Sequence, residues 1–226
     1  MPQFSKRRSD GEKFLEALRG YDIPVISGYE LLKEKEAQSG HAMFAPSGTH
    51  WNVYAACHVT HAVIDLWMKL LDKPLTQITC DPTTMRPVPS SPDRDIARVA
   101  NLLYPELTYT PQPIAANKRV VPENVFRPNV LVVGTSFMWS LFQYLDIHHV
   151  YSVRNFFYYF KKNYGFKRKA IPMNKKAVDW EKEILKRDIV MIEINEAFVK
   201  RIGYGFLKHG VKNLRKLSGG GQRIKS

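Results

Sequence analysis

The chain has 226 residues, 44% of them hydrophobic and 12% aromatic, enough to bury one substantial core. Its formal net charge of +13 and pI of about 9.7 favour anionic partners: acidic polysaccharide, nucleic acid or a membrane surface. No apolar run approaches the roughly 20 residues that span a bilayer, and no apolar signal core follows the basic N-terminus, so the chain as written is expected to be soluble and to carry no export signal.

A helix is expected to start at Asp10 or Gly11, with Phe14, Leu15 and Leu18 on one face, and to end at Gly20. Ile23 to Ile26 reads as a short strand. Tyr29 to Gln38 has helical spacing and stops near Gly40; Met43 and Phe44 then form a brief strand leading into the turn Pro46-Ser47-Gly48. This leaves His50 in a loop. Asn52 is placed to cap a long helix to about Leu71, with Val59, Val63, Leu66, Trp67 and Leu70 on its apolar side. Leu75 to Thr79 reads as a strand, Pro82 to Pro92 as a proline-rich loop, and Asp93 as the cap of a short helix. Cys57 falls in the long helix and Cys80 at the end of a strand. That spacing suits neither a metal site nor a disulfide framework, and two buried thiols are expected.

From Tyr104 to Arg127 no steady period is visible. Asn129 to Val133 is a continuous apolar strand of the kind buried on both faces of a parallel sheet, and it runs into Gly134-Thr135-Ser136 and a helix from Phe137 to Leu145. Further strands are expected at Val150 to Val153 and Ile189 to Ile194, with a helix from about Lys175 to Arg187. Strands alternating with helices predict an α/β fold with a mostly parallel sheet flanked by helices. The organisation expected is a single domain over residues 1–210 and a basic, flexible tail over 211–226.

A serine at a strand-to-helix turn projects its hydroxyl at the carboxyl end of the sheet, where ligands bind in such folds. Ser136 has that placement, and the glycine two positions earlier, Gly134, allows a tight turn and close substrate approach. The hydroxyl needs a base, and histidine suits that task near neutral pH. Of the seven histidines, His50 alone sits in a glycine-containing loop followed directly by Trp51 and the capping Asn52.

Gly-Thr-His-Trp-Asn at 48–52, Val-Leu-Val-Val-Gly-Thr-Ser-Phe at 130–137 and Asp-Ile-Val-Met-Ile-Glu-Ile-Asn-Glu at 188–196, in that order, resemble three landmarks of the SGNH hydrolase-like alginate O-acetyltransferases. The resemblance covers about residues 14–200. It implies an SGNH hydrolase-like, flavodoxin-like three-layer fold and a periplasmic or cell-envelope enzyme. Such an enzyme moves acetyl groups onto an exopolysaccharide such as alginate through an acetyl-serine, with Ser136 as nucleophile and His50 as base. Gly134, Trp51 and Asn52 would line the substrate site. No cofactor or metal is implied, and the acetyl donor would come from a membrane acetyltransferase partner. In that family an aspartate usually stands two residues before the histidine, where this chain has Gly48. Another acceptor for the imidazole is therefore needed, and Ser47, Asp81, Glu193 and Glu196 are conceivable. Family members also have an export signal or anchor and an opening strand ahead of the point where this chain begins, so a truncated domain lacking its first strand is expected.

Two other readings compete. One is a non-catalytic carbohydrate-binding or assembly protein that keeps the fold and lacks the acid of the triad. The other is nucleic-acid binding, suggested by the interleaved aromatic and basic residues of Phe156 to Lys169; it is the less favoured, because no nucleic-acid motif accompanies them.

Overall fold

The computed structural model describes residues 9–101, 103–165 and 169–218. In chain order the elements are α1 (Asp10–Gly20), α2 (Gly28–Ser39), α3 (Val53–Leu71), β1 (Gln77–Ile78), β2 (Asp81–Arg86), α4 (Asp95–Val99), β3 (Gln112–Ala116), β4 (Arg119–Val120), β5 (Asn129–Gly134), α5 (Met138–Ile147), β6 (Val153–Tyr158), β7 (Lys162–Gly165), β8 (Ile171–Pro172), β9 (Ile189–Ile192) and α6 (Phe206–Leu217). They divide into two compact units. One, the sheet unit, comprises Met1–Val25, Pro128–Ser136 and Val153–Ser226; the other, the helical unit, comprises Ile26–Arg127 and Phe137–Ser152.

The sheet unit is built on five strands in the order β8-β7-β6-β5-β9. β5 runs parallel to both β6 and β9, whereas β6, β7 and β8 are joined antiparallel. The expected parallel core is therefore three strands wide; of the aromatic and basic run from Phe156 to Lys169, the first residues end β6 and Lys162–Gly165 form the antiparallel β7, while residues 166–168 lie outside the described residues. Val130, Leu131, Val132 and Val133 are all 0% exposed, as a strand covered on both faces requires. On one face Leu131 and Val133 pack with Phe157, Phe160, Trp180 and Phe206. α6 comes close to Trp180 because Gly210 has no side chain: a Cβ there would lie 3.2 Å from the indole ring. Ser9 caps α1 in a reciprocal pair with Glu12, one residue ahead of the expected start.

In the helical unit α3 is the central element, with Tyr54 to Cys57, Val59, Thr60, Val63, Ile64 and Trp67 buried. It packs on α2, α5, β1 and β3. Asn52 caps it by accepting from the Ala55 N–H at 2.9 Å, and Gly40, at φ 69°, closes α2 in the left-handed conformation that a side chain would disfavour.

Several expectations need correction. Residues 23–26 form no strand: Pro24 lacks a donor, and the Ile23 N–H turns back to the Leu18 carbonyl. The strand expected over 75–79 is confined to Gln77–Ile78, and part of the proline-rich segment is β2, which pairs antiparallel with β3 through a register irregularity between Asp81 and Thr84. The strand expected at 150–153 begins only at Val153. The helix expected over 175–187 is a single wide turn at Glu181–Leu185. The basic segment after residue 210 continues α6 to Leu217, so it is not loose there, and Leu70 is half exposed rather than part of the apolar face of α3.

Cys57 and Cys80 are not free thiols. Packing α3 on the segment that leads into β2 brings their Cα atoms to 5.8 Å, and they form a disulfide across 23 residues. A closed loop of that length is worth about 3 kcal/mol against the unfolded chain. Reduction, or Cys57→Ser with Cys80→Ser, is expected to lower the unfolding free energy by about that amount, measured as the urea midpoint with and without reductant.

His58, on α3, stands edge-on to the Tyr54 ring, and no hydrogen-bond partner reaches its Nε2 among the described residues. Burial, reinforced by the charges of Lys35 and His61, lowers its pKa from 6.5 to about 4. Between those values the unfolded chain binds a proton that the folded chain refuses, so stability should fall as the pH drops from about 6.5 to about 4. A His58→Gln variant should lose less stability than wild type between pH 7.5 and pH 5 in urea titrations.

Candidate active site

His50 lies in the helical unit, in the loop closed by the isolated bridge of Phe44 with Trp51, two residues before the Asn52 cap of α3. Its Nδ1 is 2.7 Å from Oδ2 of Asp95, the first residue of α4. The same carboxylate accepts from the Thr49 backbone N–H at 2.7 Å through Oδ1 and from the Thr49 hydroxyl at 2.6 Å through Oδ2. Burial pushes the Asp95 carboxyl up, but the two hydrogen bonds from Thr49 and the one from His50 more than offset it, and its pKa lies below the ordinary carboxylate value. At neutral pH it is an anion aimed at Nδ1, which keeps the proton of a neutral imidazole there and the lone pair on Nε2. The ring also packs, tilted, against Phe137, centroid to centroid 4.7 Å.

The two backbone segments are clasped as well as their side chains. The Ser47 carbonyl accepts from the N–H groups of Ile96 and Ala97, and the Ser47 hydroxyl donates to the Asp93 carbonyl at 2.8 Å. Asp93 is buried and turns its carboxylate back onto Ser90, taking both the N–H and the hydroxyl, so it braces the turn instead of capping a helix from outside. Trp51 donates its indole N–H to the Ser140 hydroxyl at 2.6 Å and meets Phe137 edge-on. Asn52 is 0% exposed and fully engaged: its amide nitrogen donates to the Ala42 carbonyl and to Gln112, and its oxygen takes the α3 cap bond. Both were expected to line a substrate site, and the contribution of Asn52 is positional.

In the sheet unit, β5 delivers Gly134, paired with Tyr158 of β6, and then Thr135 and Ser136. Thr135 is buried, and its N–H donates to Glu193, just past the end of β9, at 2.5 Å. Ser136 is followed in the chain by Phe137 and then by α5, whose N-terminus carries no side-chain cap. Strand, turn and helix thus follow one another around Ser136 as expected.

Among the conceivable imidazole acceptors, Ser47 and Glu193 have the partners just given, Asp81 sits in β2, and Glu196 lies against Gly11, its Oε1 2.9 Å from where a Cβ would stand. Asp95, which holds His50, was not among them. It is 45 residues from His50, and nothing in the local pattern Ser-Pro-Asp-Arg-Asp distinguishes it from Asp93. Of the remaining histidines, His61 pairs with Asp65 on the exposed side of α3 and His148 faces Asn117.

The charge is strongly segregated. Over the residues of the sheet unit the sequence has 24 Lys and Arg against 10 Asp and Glu, a net +14; over those of the helical unit it has 10 against 11, a net −1. Within the sheet unit a cavity of about 480 Å³ is lined by Tyr159, Phe198 and Tyr204 together with Lys161, Lys200, Arg201 and Lys208. The three rings pack edge to face at 5.3–5.8 Å, leaving no parallel pair between which a base could slot. Among the described residues no group of three or more His, Cys, Asp or Glu could hold a metal ion, and no helix is long and apolar enough to cross a membrane.

No protein-family model and no curated protein matches the sequence. Two solved structures do. The O-acetyltransferase domain of Pseudomonas putida AlgJ matches with a TM-score of 0.50 and 16% identity over 84% of this chain and 65% of that one. Pseudomonas aeruginosa AlgX matches with a TM-score of 0.37 and 12% identity over 86% of this chain and 52% of that one. The chain thus spans less than two thirds of the length of either. With a central mixed sheet flanked by helices, its fold is similar to that of the AlgJ O-acetyltransferase domain.

Proposed function

We propose that this chain is a serine-dependent O-acetyltransferase, with acetylesterase capability, that acts on an exopolysaccharide such as alginate. The observation that carries the proposal is the state of His50. A histidine beside a tryptophan and a capping asparagine, with an ionised carboxylate 2.7 Å from Nδ1, is an imidazole prepared to accept a proton at Nε2. The non-catalytic reading drew its strength from Gly48 and the missing acid, and Asp95 removes that ground.

In this mechanism Ser136 Oγ attacks the carbonyl carbon of an acetyl donor while His50 Nε2 takes the hydroxyl proton. The tetrahedral intermediate collapses, the donor's leaving group departs with the proton from the imidazolium, and acetyl-Ser136 remains. A sugar hydroxyl then loses its proton to His50 and attacks the acetyl carbonyl. Collapse of the second intermediate forms the sugar ester, and Oγ recovers its proton from His50. Water in place of the sugar gives hydrolysis. Support for Ser136 comes from the buried strand that leads into it and the uncapped helix that follows, since helix N-termini favour developing negative charge.

The +14 charge of the sheet unit and its aromatic, cation-lined cavity favour an acidic polymer as acceptor, and sugar rings lie readily on aromatic edges and faces. The disulfide suits an oxidising compartment such as the periplasm. A membrane acetyltransferase remains the proposed source of acetyl groups.

Ser136→Ala and His50→Ala are each expected to lower hydrolysis of a chromogenic acetyl ester by about 10³-fold or more, and wild type should yield acetyl-Ser136 by mass spectrometry. Wild-type rates in both variants would overturn the proposal. Binding of an acidic oligosaccharide, followed by calorimetry, should weaken steeply with salt and weaken further in Lys161→Ala with Arg201→Ala, whereas a neutral glucan should show neither effect.

A further inference from the structure

Resting on the reading of His50 as the base, we propose that Asp95 is the residue that positions its imidazole, and that the bare Cα of Gly48 is what allows Asp95 to reach it. Both oxygens of the carboxylate are committed. Oδ1 takes the Thr49 N–H, and Oδ2 takes the Thr49 hydroxyl and His50 Nδ1. A carboxylate bonded at one oxygen can swing; one bonded at both passes a fixed direction to the ring. The residue that fixes it, Thr49, is the chain neighbour of the histidine, so loop and acid are set by the same bonds.

The role of Gly48 follows from what surrounds it. A Cβ on Gly48 would stand 2.9 Å from the Pro92 carbonyl oxygen, 3.0 Å from the Asp93 carbonyl carbon and 3.1 Å from the Asp93 Cα. All three are backbone atoms of the segment that ends in Asp95, and a backbone cannot turn aside as a flexible side chain can. That segment is also tied down by the Ser47 carbonyl and hydroxyl on one side of Gly48 and by Thr49 on the other. Any side chain at 48 therefore pushes the acid-bearing segment off the loop. An acid two residues before the histidine and an acid at 95 are alternatives that cannot coexist in this backbone. The chain uses the second, and restoring an aspartate at 48 damages the site rather than completing it.

Asp95→Asn tests the orientation directly. The asparagine amide can donate to Nδ1, which stabilises the imidazole with its proton on Nε2, the wrong tautomer for a base. The loss of kcat expected for ester hydrolysis is about 10²- to 10⁴-fold with KM little changed, the upper end being the cost of that tautomer in a serine protease triad. Asp95→Glu should recover part of it. In ¹⁵N-NMR of the imidazole the wild type should show the Nδ1-protonated tautomer, and Asp95→Asn should show the Nε2-protonated one. Gly48→Asp and Gly48→Ala should each lose at least 10-fold in kcat with the circular dichroism spectrum retained, and Gly48→Asp should not rescue Asp95→Asn. An unchanged tautomer in Asp95→Asn, or full activity in Gly48→Asp, would overturn the inference. The NMR arm reads His50 without turnover. An inactive wild type with an Asp95-dependent tautomer would therefore sink the acetyl-transfer reading while leaving the position of the acid established.

Discussion

The carboxylate of Asp95, held at both oxygens by Thr49 and His50, is the contact on which the arrangement around His50 in the helical unit depends. A buried or half-buried carboxylate is costly unless its charge is met, and here three donors meet it. The cost of gathering those donors is spread over the backbone. Ser47, Gly48 and Thr49 run against Pro92 to Ala97 closely enough that one segment tolerates no side chain at its centre. Close approach of two backbones is usually a sheet ladder. In this loop pair the same closeness comes from carbonyl, hydroxyl and carboxylate contacts, and its product is an oriented histidine, not a strand.

Charge separates the two units as sharply as architecture does. A net +13 spread evenly would say only that the chain prefers anions. Concentrated as +14 on the sheet unit, it gives that unit a field that favours anions, while the helical unit is near neutrality at −1. Lys200, which pairs with Asp10 at 3.3 Å, is exposed and screened, so that pair does little to cancel the field.

The features legible in the sequence were those set by local pattern. The cap at Asn52 and the apolar spacing of α3, the continuous run of β5, and the glycine that ends α2 each announce themselves within a few residues. So does the succession of strand, turn and helix around Ser136, because a buried strand followed by Gly-Thr-Ser and a helix is a local signal. What escaped was set by contacts between distant segments. The Cys57–Cys80 disulfide depends on α3 packing over the entry to β2, and β2 hides in a proline-bearing stretch because only pairing with β3 makes it a strand. Ile23 to Ile26 failed in the opposite direction: largely apolar and β-branched, it has most of the composition of a strand but, with Pro24 inside it, pairs with no strand among the described residues. Asp95 is the extreme case, since its meaning lies wholly in a residue 45 positions away.

The disulfide and the candidate base, which share no atoms, are mechanically linked. Asn52 fixes the end of the His50 loop by binding Ala42 on one side and Gln112 on the other while capping α3. Gln112 opens β3 and is registered against Arg86 of β2, and β2 begins one residue after Cys80. Cys57, in turn, lies in the second turn of the helix that Asn52 caps. A closed circuit therefore runs from Asn52 through α3 to the disulfide, along the paired strands β2 and β3 and back to Asn52. Opening that circuit at the sulfurs leaves the hydrogen bonds in place but frees the β2–β3 pair to shift against α3, and the first group to feel a shift of Gln112 is the asparagine that sets the loop. In an oxidising compartment the bond is stable and the loop is held; the same chain in a reducing one would keep its histidine and its acid but hold them less firmly.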